Sequence, residues 1–78
     1  MDLEPVYLAA NTGEADDVEE VLDSLDVEYN LRLDTIRRDD YRGPCYQGIL
    51  YEVPAGRAEE GRRRIREWGL TEGLVSTR

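Results

Sequence analysis

The order of apolar patterns along this 78-residue chain predicts an α+β fold, one antiparallel sheet with two helices on a single face. Three features carry that expectation. Two segments, about residues 13–25 and 58–68, repeat apolar side chains at helical spacing. Between them Val27, Tyr29, Leu31 and Leu33 alternate with Glu28, Asn30, Arg32 and Asp34, the period-two pattern of a strand with one buried and one wet face. The stretch from Arg37 to Pro44 is polar, turn-rich and too short for a crossover helix, so the strands flanking it pair antiparallel as a hairpin.

Each element follows from its own residues. Val6 to Asn11 is a short apolar run between Pro5 and a turn-like Asn-Thr-Gly, which predicts a buried strand. Asn11 is a good helix N-cap, and Glu14 three residues on has the spacing of a capping box. Ala15, Val18, Leu22 and Leu25, with Val21 beside them, form the apolar stripe of the first helix; its early carboxylates suit the positive dipole end. After the alternating strand and the turn, Cys45 to Val53 forms a second strand, with Cys45, Gln47, Ile49, Tyr51 and Val53 on one side. Pro54 closes it. Ala58, Gly61, Ile65 and Trp68 make the stripe of the second helix, which ends at Gly69 as C-cap. Leu74 to Thr77 offers a last short strand. The order β-α-β-β-α-(β), folded with right-handed crossovers, is the ferredoxin-like sandwich, here one domain over residues 1–78. The expected core includes Val6, Leu8, Val18, Leu22, Leu31, Ile49, Tyr51, Ile65 and Trp68.

Composition narrows the chemistry. Apolar residues at 40% suffice for a small core and exclude a wholly disordered chain, and no apolar run approaches the ~20 residues of a spanning helix. The start Met1-Asp2-Leu3-Glu4-Pro5 has no apolar region of secretory type, and the one cysteine cannot form an internal disulfide, which together predict a cytoplasmic protein. Without histidine the common imidazole base and metal ligand are absent. All ten basic residues are arginine, as genome bias or high-salt adaptation would give. Against them stand eighteen carboxylates, and the net charge of −8 disfavours nucleic acid as a partner. The balance is uneven: residues 1–42 hold thirteen acids and four arginines, whereas residues 43–78 hold five and six.

Most charged clusters have quiet explanations. Asp16, Asp17, Glu19, Glu20 and Asp23 lack the spacing of a calcium loop and read as a solvated helix face, so no metal site is expected. In the second helix Glu59 and Arg63, Glu60 and Arg64, and Arg63 and Glu67 stand at pairing distance along the helix. Arg62 and Arg66 are left over to bridge to the first helix or to another chain. Cys45 has Arg42 nearby in sequence but no histidine to act as base, and it opens a strand, so it reads as a buried or half-buried core residue. The hairpin end is the richest segment. Arg37, Arg38, Tyr41, Arg42, Tyr46 and Gln47 combine charge, hydrogen bonding and flat contact area on a rigid base, the residue types of binding hot spots. Asp39 and Asp40 offer internal neutralisation as the alternative.

The run Val6-Tyr7-Leu8-Ala9-Ala10 before a helix with Ala15 and Val21-Leu22, then Val27-Glu28-Tyr29, the strand Gly48-Ile49-Leu50-Tyr51-Glu52-Val53, and Ala58 with Ile65 cover nearly the whole chain. In these features it resembles the small bacterial PII-like domains of unknown function that carry the name prokaryotic signal transducing proteins. The resemblance implies a PII-like fold in which the loop between the second and third strands, here Arg37 to Pro44 and much shorter than a PII loop, carries partner and ligand contacts. Nucleotide binding is not implied, because the Lys and Gly-rich features of PII nucleotide sites have no counterpart.

The expected function is therefore non-enzymatic: a protein-interaction or signal-transducing module that binds a partner, itself included, through the hairpin end or the exposed sheet surface. A single sheet with helices on one face leaves the other open; Tyr46 and Leu50 would lie there, or Tyr51 and Ile49 if the register is inverted, which favours oligomers. No cofactor, metal or membrane enters this reading. The alternatives are a small accessory subunit of a larger complex and a dimeric ferredoxin-like enzyme acting on a small molecule. The latter would draw its acid or base from Asp34, Glu52, Tyr29, Tyr51 or Cys45.

Overall fold

The first helix is set by its cap. Asn11 is extended (φ −155°), and its Oδ1 accepts the Glu14 amide at 2.9 Å, while Glu14 Oε1 accepts the Ala10 amide at 3.1 Å. This is the reciprocal arrangement of a capping box, shifted by one residue at the return bond. The structure, a computed structural model, describes residues 2–36, 38, 41 and 47–75. Along them run β1 (Leu3–Ala9), α1 (Thr12–Ser24), β2 (Asn30–Thr35), β3 (Gln47–Pro54) and α2 (Ala55–Trp68).

The two helices end alike. After α1 the amides of Asp26 and Val27 return to the carbonyls of Asp23 and Leu22; after α2 those of Gly69 and Leu70 return to Arg66 and Ile65. Both are Schellman closures, which need a left-handed residue after the last turn. Gly69 meets that need freely at φ 106°, whereas Asp26 holds φ 55° with a side chain attached. Val27 is therefore the hydrophobic residue of the closure, buried near Leu22, rather than the start of a strand. That is why β2 begins at Asn30 and not at the head of the alternating pattern.

The sheet has three strands in the order β1-β3-β2, both pairings antiparallel. The hairpin register runs from Asn30 opposite Glu52 to Thr35 opposite Gln47. β1 pairs with the other edge of β3, with an irregularity between Pro5 and Tyr7. Beyond β1 the C-terminal segment lies alongside: Gly73 carbonyl accepts the Leu8 amide at 2.8 Å and the Val75 amide reaches Val6 carbonyl at 3.0 Å. Only the single antiparallel bridge Tyr7–Leu74 stands where a fourth strand was expected, and Ser76 and Thr77 lie outside the described residues. Gly73 is required at this crossing, since a Cβ there would sit 2.2 Å from Leu8 carbonyl oxygen.

α1 and α2 pack on the sheet face that carries Tyr51 and Val53, joined in one core with Val6, Val18, Val21, Leu22 and Ile65. Two expected core residues are not there. Leu31 is 47% exposed, because β2 is an edge strand beyond the cover of the helices, and Trp68 is 49% exposed at the last turn of α2. Ile49 is only partly buried against the core. Arg62 is the reverse case, a charged residue inside: it is 7% exposed, with Nε on Val75 carbonyl at 2.6 Å and Nη2 on Pro5 carbonyl at 2.8 Å. Its ion pairs are Glu4 at 3.3 Å and Glu59 at 3.1 Å. It thus ties α2 to β1 and the C-terminal segment, not to the acidic first helix. The other α2 pairs, Arg57–Glu60 and Arg64–Glu67, use the three-residue spacing in place of the expected four.

Candidate functional site

Of the six residues expected to bind a partner at the hairpin end, Arg37, Arg42 and Tyr46 lie outside the described residues. Gln47 is exposed at the first position of β3, opposite Thr35. Tyr41 is half-buried and its amide donates to Arg38 carbonyl at 3.2 Å. Arg38 turns inward. Its guanidinium forms a two-pronged pair with Glu14, Nη1 to Oε1 and Nη2 to Oε2 (3.1 Å), and Nη1 also donates to Leu8 carbonyl at 3.3 Å. The Arg38 side chain is 4% exposed, so its charge is spent on anchoring the hairpin end to α1 and β1.

Glu14 is the hub of that anchor. Burial alone would raise its carboxyl, but the hydrogen bonds from Arg38 and the Ala10 amide prevail and hold it below the usual carboxylate range. Tyr7 joins the same cluster: burial, then the Glu14 charge, push its hydroxyl above the ordinary tyrosine range. On the other side of the core Tyr51 is fully buried and donates to Glu19 Oε2 at 2.6 Å, with Ala15 carbonyl oxygen 3.2 Å away. Burial first, and then that hydrogen bond, drive its hydroxyl pKa well up. Tyr29 packs on it with ring centres 5.8 Å apart. Both buried tyrosines are therefore neutral hydrogen-bond donors at neutral pH.

The remaining acid and base candidates are scattered. Glu52 is engaged on the sheet surface, accepting Asn30 Nδ2 at 3.1 Å and lying 3.5 Å from Arg32. Asp34 accepts the Thr35 amide at 2.8 Å and stands on the wall of a groove of about 430 Å³ across the face opposite the helices. The floor of the groove is Leu8 and Leu50, with Leu74 at one side and Arg32 at the other. Leu50 is thus on the open face as expected, although it is only 5% exposed, and the inverted register is ruled out by Tyr51 under α1. Cys45 lies outside the described residues.

The feature not anticipated is the exposure of the leucines of β2. Leu31 pairs with Tyr51 and Leu33 with Ile49, so both leucines share the helix-bearing face, yet they stand 47% and 66% exposed. Arg32, its side chain 61% exposed, and Asp34 alternate onto the other face. Among the described residues nothing pairs with the outer edge of this strand. The clue was present in the fold expectation: a split β-α-β unit places β3 in the middle and leaves β2 outermost. No protein-family model, curated protein or solved structure matches this chain. No helix among the described residues is long and apolar enough to cross a membrane.

Proposed function

We propose that the chain is a non-enzymatic protein-interaction module of ferredoxin-like, PII-like type, acting in cytoplasmic signal transduction by docking a partner along β2 and the adjoining hairpin end. The strand order β1-β3-β2, with the C-terminal segment alongside β1, supports the ferredoxin-like arrangement. The observation that carries the functional reading is the open edge of β2 with Leu31 and Leu33 exposed beside it. An edge strand offers a row of backbone donors and acceptors, and natural sheets usually guard such edges with charge, proline or a covering element. Here Arg32 and Asp34 put charge on one face of the strand only, and the other face carries two exposed leucines. A partner that contributes an extended strand with apolar side chains on one face satisfies both features at once. Anchoring of Arg38 by Glu14 moves the weight of this reading from the hairpin arginines to the strand that leads into them.

The test is cross-linking in native lysate with the wild-type chain and with a Leu31→Glu/Leu33→Glu variant. Exposed substitutions of this kind shift stability by only about 0.5 kcal/mol, so an unchanged melting curve certifies the fold. Loss of the cross-linked species in the variant supports docking at β2; species that persist unchanged place the interaction elsewhere.

A further inference from the structure

Resting on the reading of β2 as an interaction surface, we infer that its occupant is a second copy of this chain, paired antiparallel through β2 about a two-fold axis at Leu33. Two identical strands related by an axis normal to the sheet pair residue against residue on the same face, in a self-complementary contact. The register is then chosen by overlap and charge. Centred on Arg32, the axis sets arginine against arginine; centred on Asp34, aspartate against aspartate; centred on Leu31, only Asn30 to Arg32 face their copies within β2, and Asp34 falls opposite Glu28, outside the strand. Like charges directly opposite are destabilising. Centred on Leu33, the same strand places Arg32 opposite Asp34 of the partner subunit and, by symmetry, Asp34 opposite Arg32 of the partner subunit.

The other face gains as well. Leu33, the most exposed large apolar side chain among the described residues at 66%, meets its own copy at the axis, and Leu31 falls opposite Thr35 of the partner subunit. Residues 31–35 of each β2 lie within the paired span, and the two three-stranded sheets join into one of six strands, which leaves neither copy of β2 as an edge. The Arg32 side chain, 61% exposed with Glu52 at 3.5 Å, has guanidinium nitrogens available for a second carboxylate.

Sedimentation equilibrium on the intact chain at high micromolar concentration should find a dimer. Arg32→Asp and Asp34→Arg should each raise its dissociation constant about tenfold or more, since each turns both cross-strand pairs from attraction to repulsion. Mixing the two variants should restore association as a heterodimer, because only then do opposite charges face each other again. As a check that does not depend on charge, Leu33→Cys in a Cys45→Ser background should be joined by a short thiol-bridging reagent. A dimer indifferent to either charge substitution overturns the inference. So does a monomer: if it still forms Leu33-dependent cross-links to another protein, the second copy is wrong and the edge remains an interaction surface, and if it forms none, both readings fall.

Discussion

Arg38 and Glu14 show how a residue's role depends on a contact twenty-four positions away. Replacing Arg38 with Ala removes a two-pronged pair and the bond to Leu8 carbonyl, leaving Glu14 short of partners. Hydrogen bonds to charged groups carry about 1.5–3 kcal/mol each way of counting, and that is the loss expected in urea unfolding at neutral pH. The pH dependence has a definite sign. The Glu14 carboxyl is held lower in the folded state than its unfolded value. Its contribution is therefore present above about pH 4.3 and fades as pH falls through the folded-state value. The stability gap between wild type and Glu14→Gln should accordingly be widest at neutral pH and narrow in acid; a gap that stays constant to low pH would show that the carboxylate is not what stabilises. The cap half of this cluster was legible, since Asn11 and Glu14 are neighbours along the chain. The arginine half was not: composition shows that the hairpin end is basic, but only its folding back toward α1 decides which charge turns inward.

At the scale of elements, the helix ends and the helix contact give two opposite-looking substitutions that should both stabilise. Asp26 occupies the left-handed position of its Schellman closure with φ 55° and adds a negative charge at the C-terminal end of α1. Asp26→Gly removes the strain and the unfavourable dipole contact, for a gain of about 0.5–1 kcal/mol. Gly61 lies inside α2, where an added Cβ would stand 3.6 Å from Leu22 and 3.9 Å from Val6, ordinary contact distances. Gly61→Ala should therefore gain about 1 kcal/mol of helix propensity with no clash. A raised urea midpoint for each checks the pair, and a lowered one for Gly61→Ala would mean that α1 and α2 approach more closely than these distances. Local signals located both helices and the hairpin well, because capping, apolar stripes and alternation are properties of adjacent residues. They failed at Leu31 and Trp68, where burial depends on how far a neighbouring element extends. Alternation shows which residues share a face; it does not show whether a helix covers that face at the sheet edge.

For the whole molecule the dominant quantity is charge. Of the net −8, the first 42 residues hold an excess of nine acids, and two arginines of α2 reach into that half. Arg62 reaches Glu4 of β1, and Arg57 Nη2 donates to the Leu25 carbonyl at the end of α1 at 3.1 Å. The asymmetry was visible in the sequence; its use as a clamp between α2 and the acidic half needed the sheet order that puts β1 beneath α2. What these contacts do not offset is mutual repulsion among the exposed carboxylates of α1, which works against the compact state. Added sodium chloride screens that repulsion over distances of about 8–10 Å, and it weakens the exposed Arg57–Glu60 and Arg64–Glu67 pairs, each worth at most about 1 kcal/mol. The buried Arg38 and Arg62 pairs are screened far less. Repulsion relieved should exceed attraction lost, so raising the salt from about 0.02 to 0.5 M is expected to increase stability by about 1 kcal/mol, or ~4–8 °C in melting temperature for a domain of this size. The melts belong at low protein concentration, where pairing through Arg32 and Asp34, itself weakened by salt, does not contribute. A melting temperature that falls with salt would mean that the ion pairs of α2, not the repulsion of α1, govern the electrostatics of the fold.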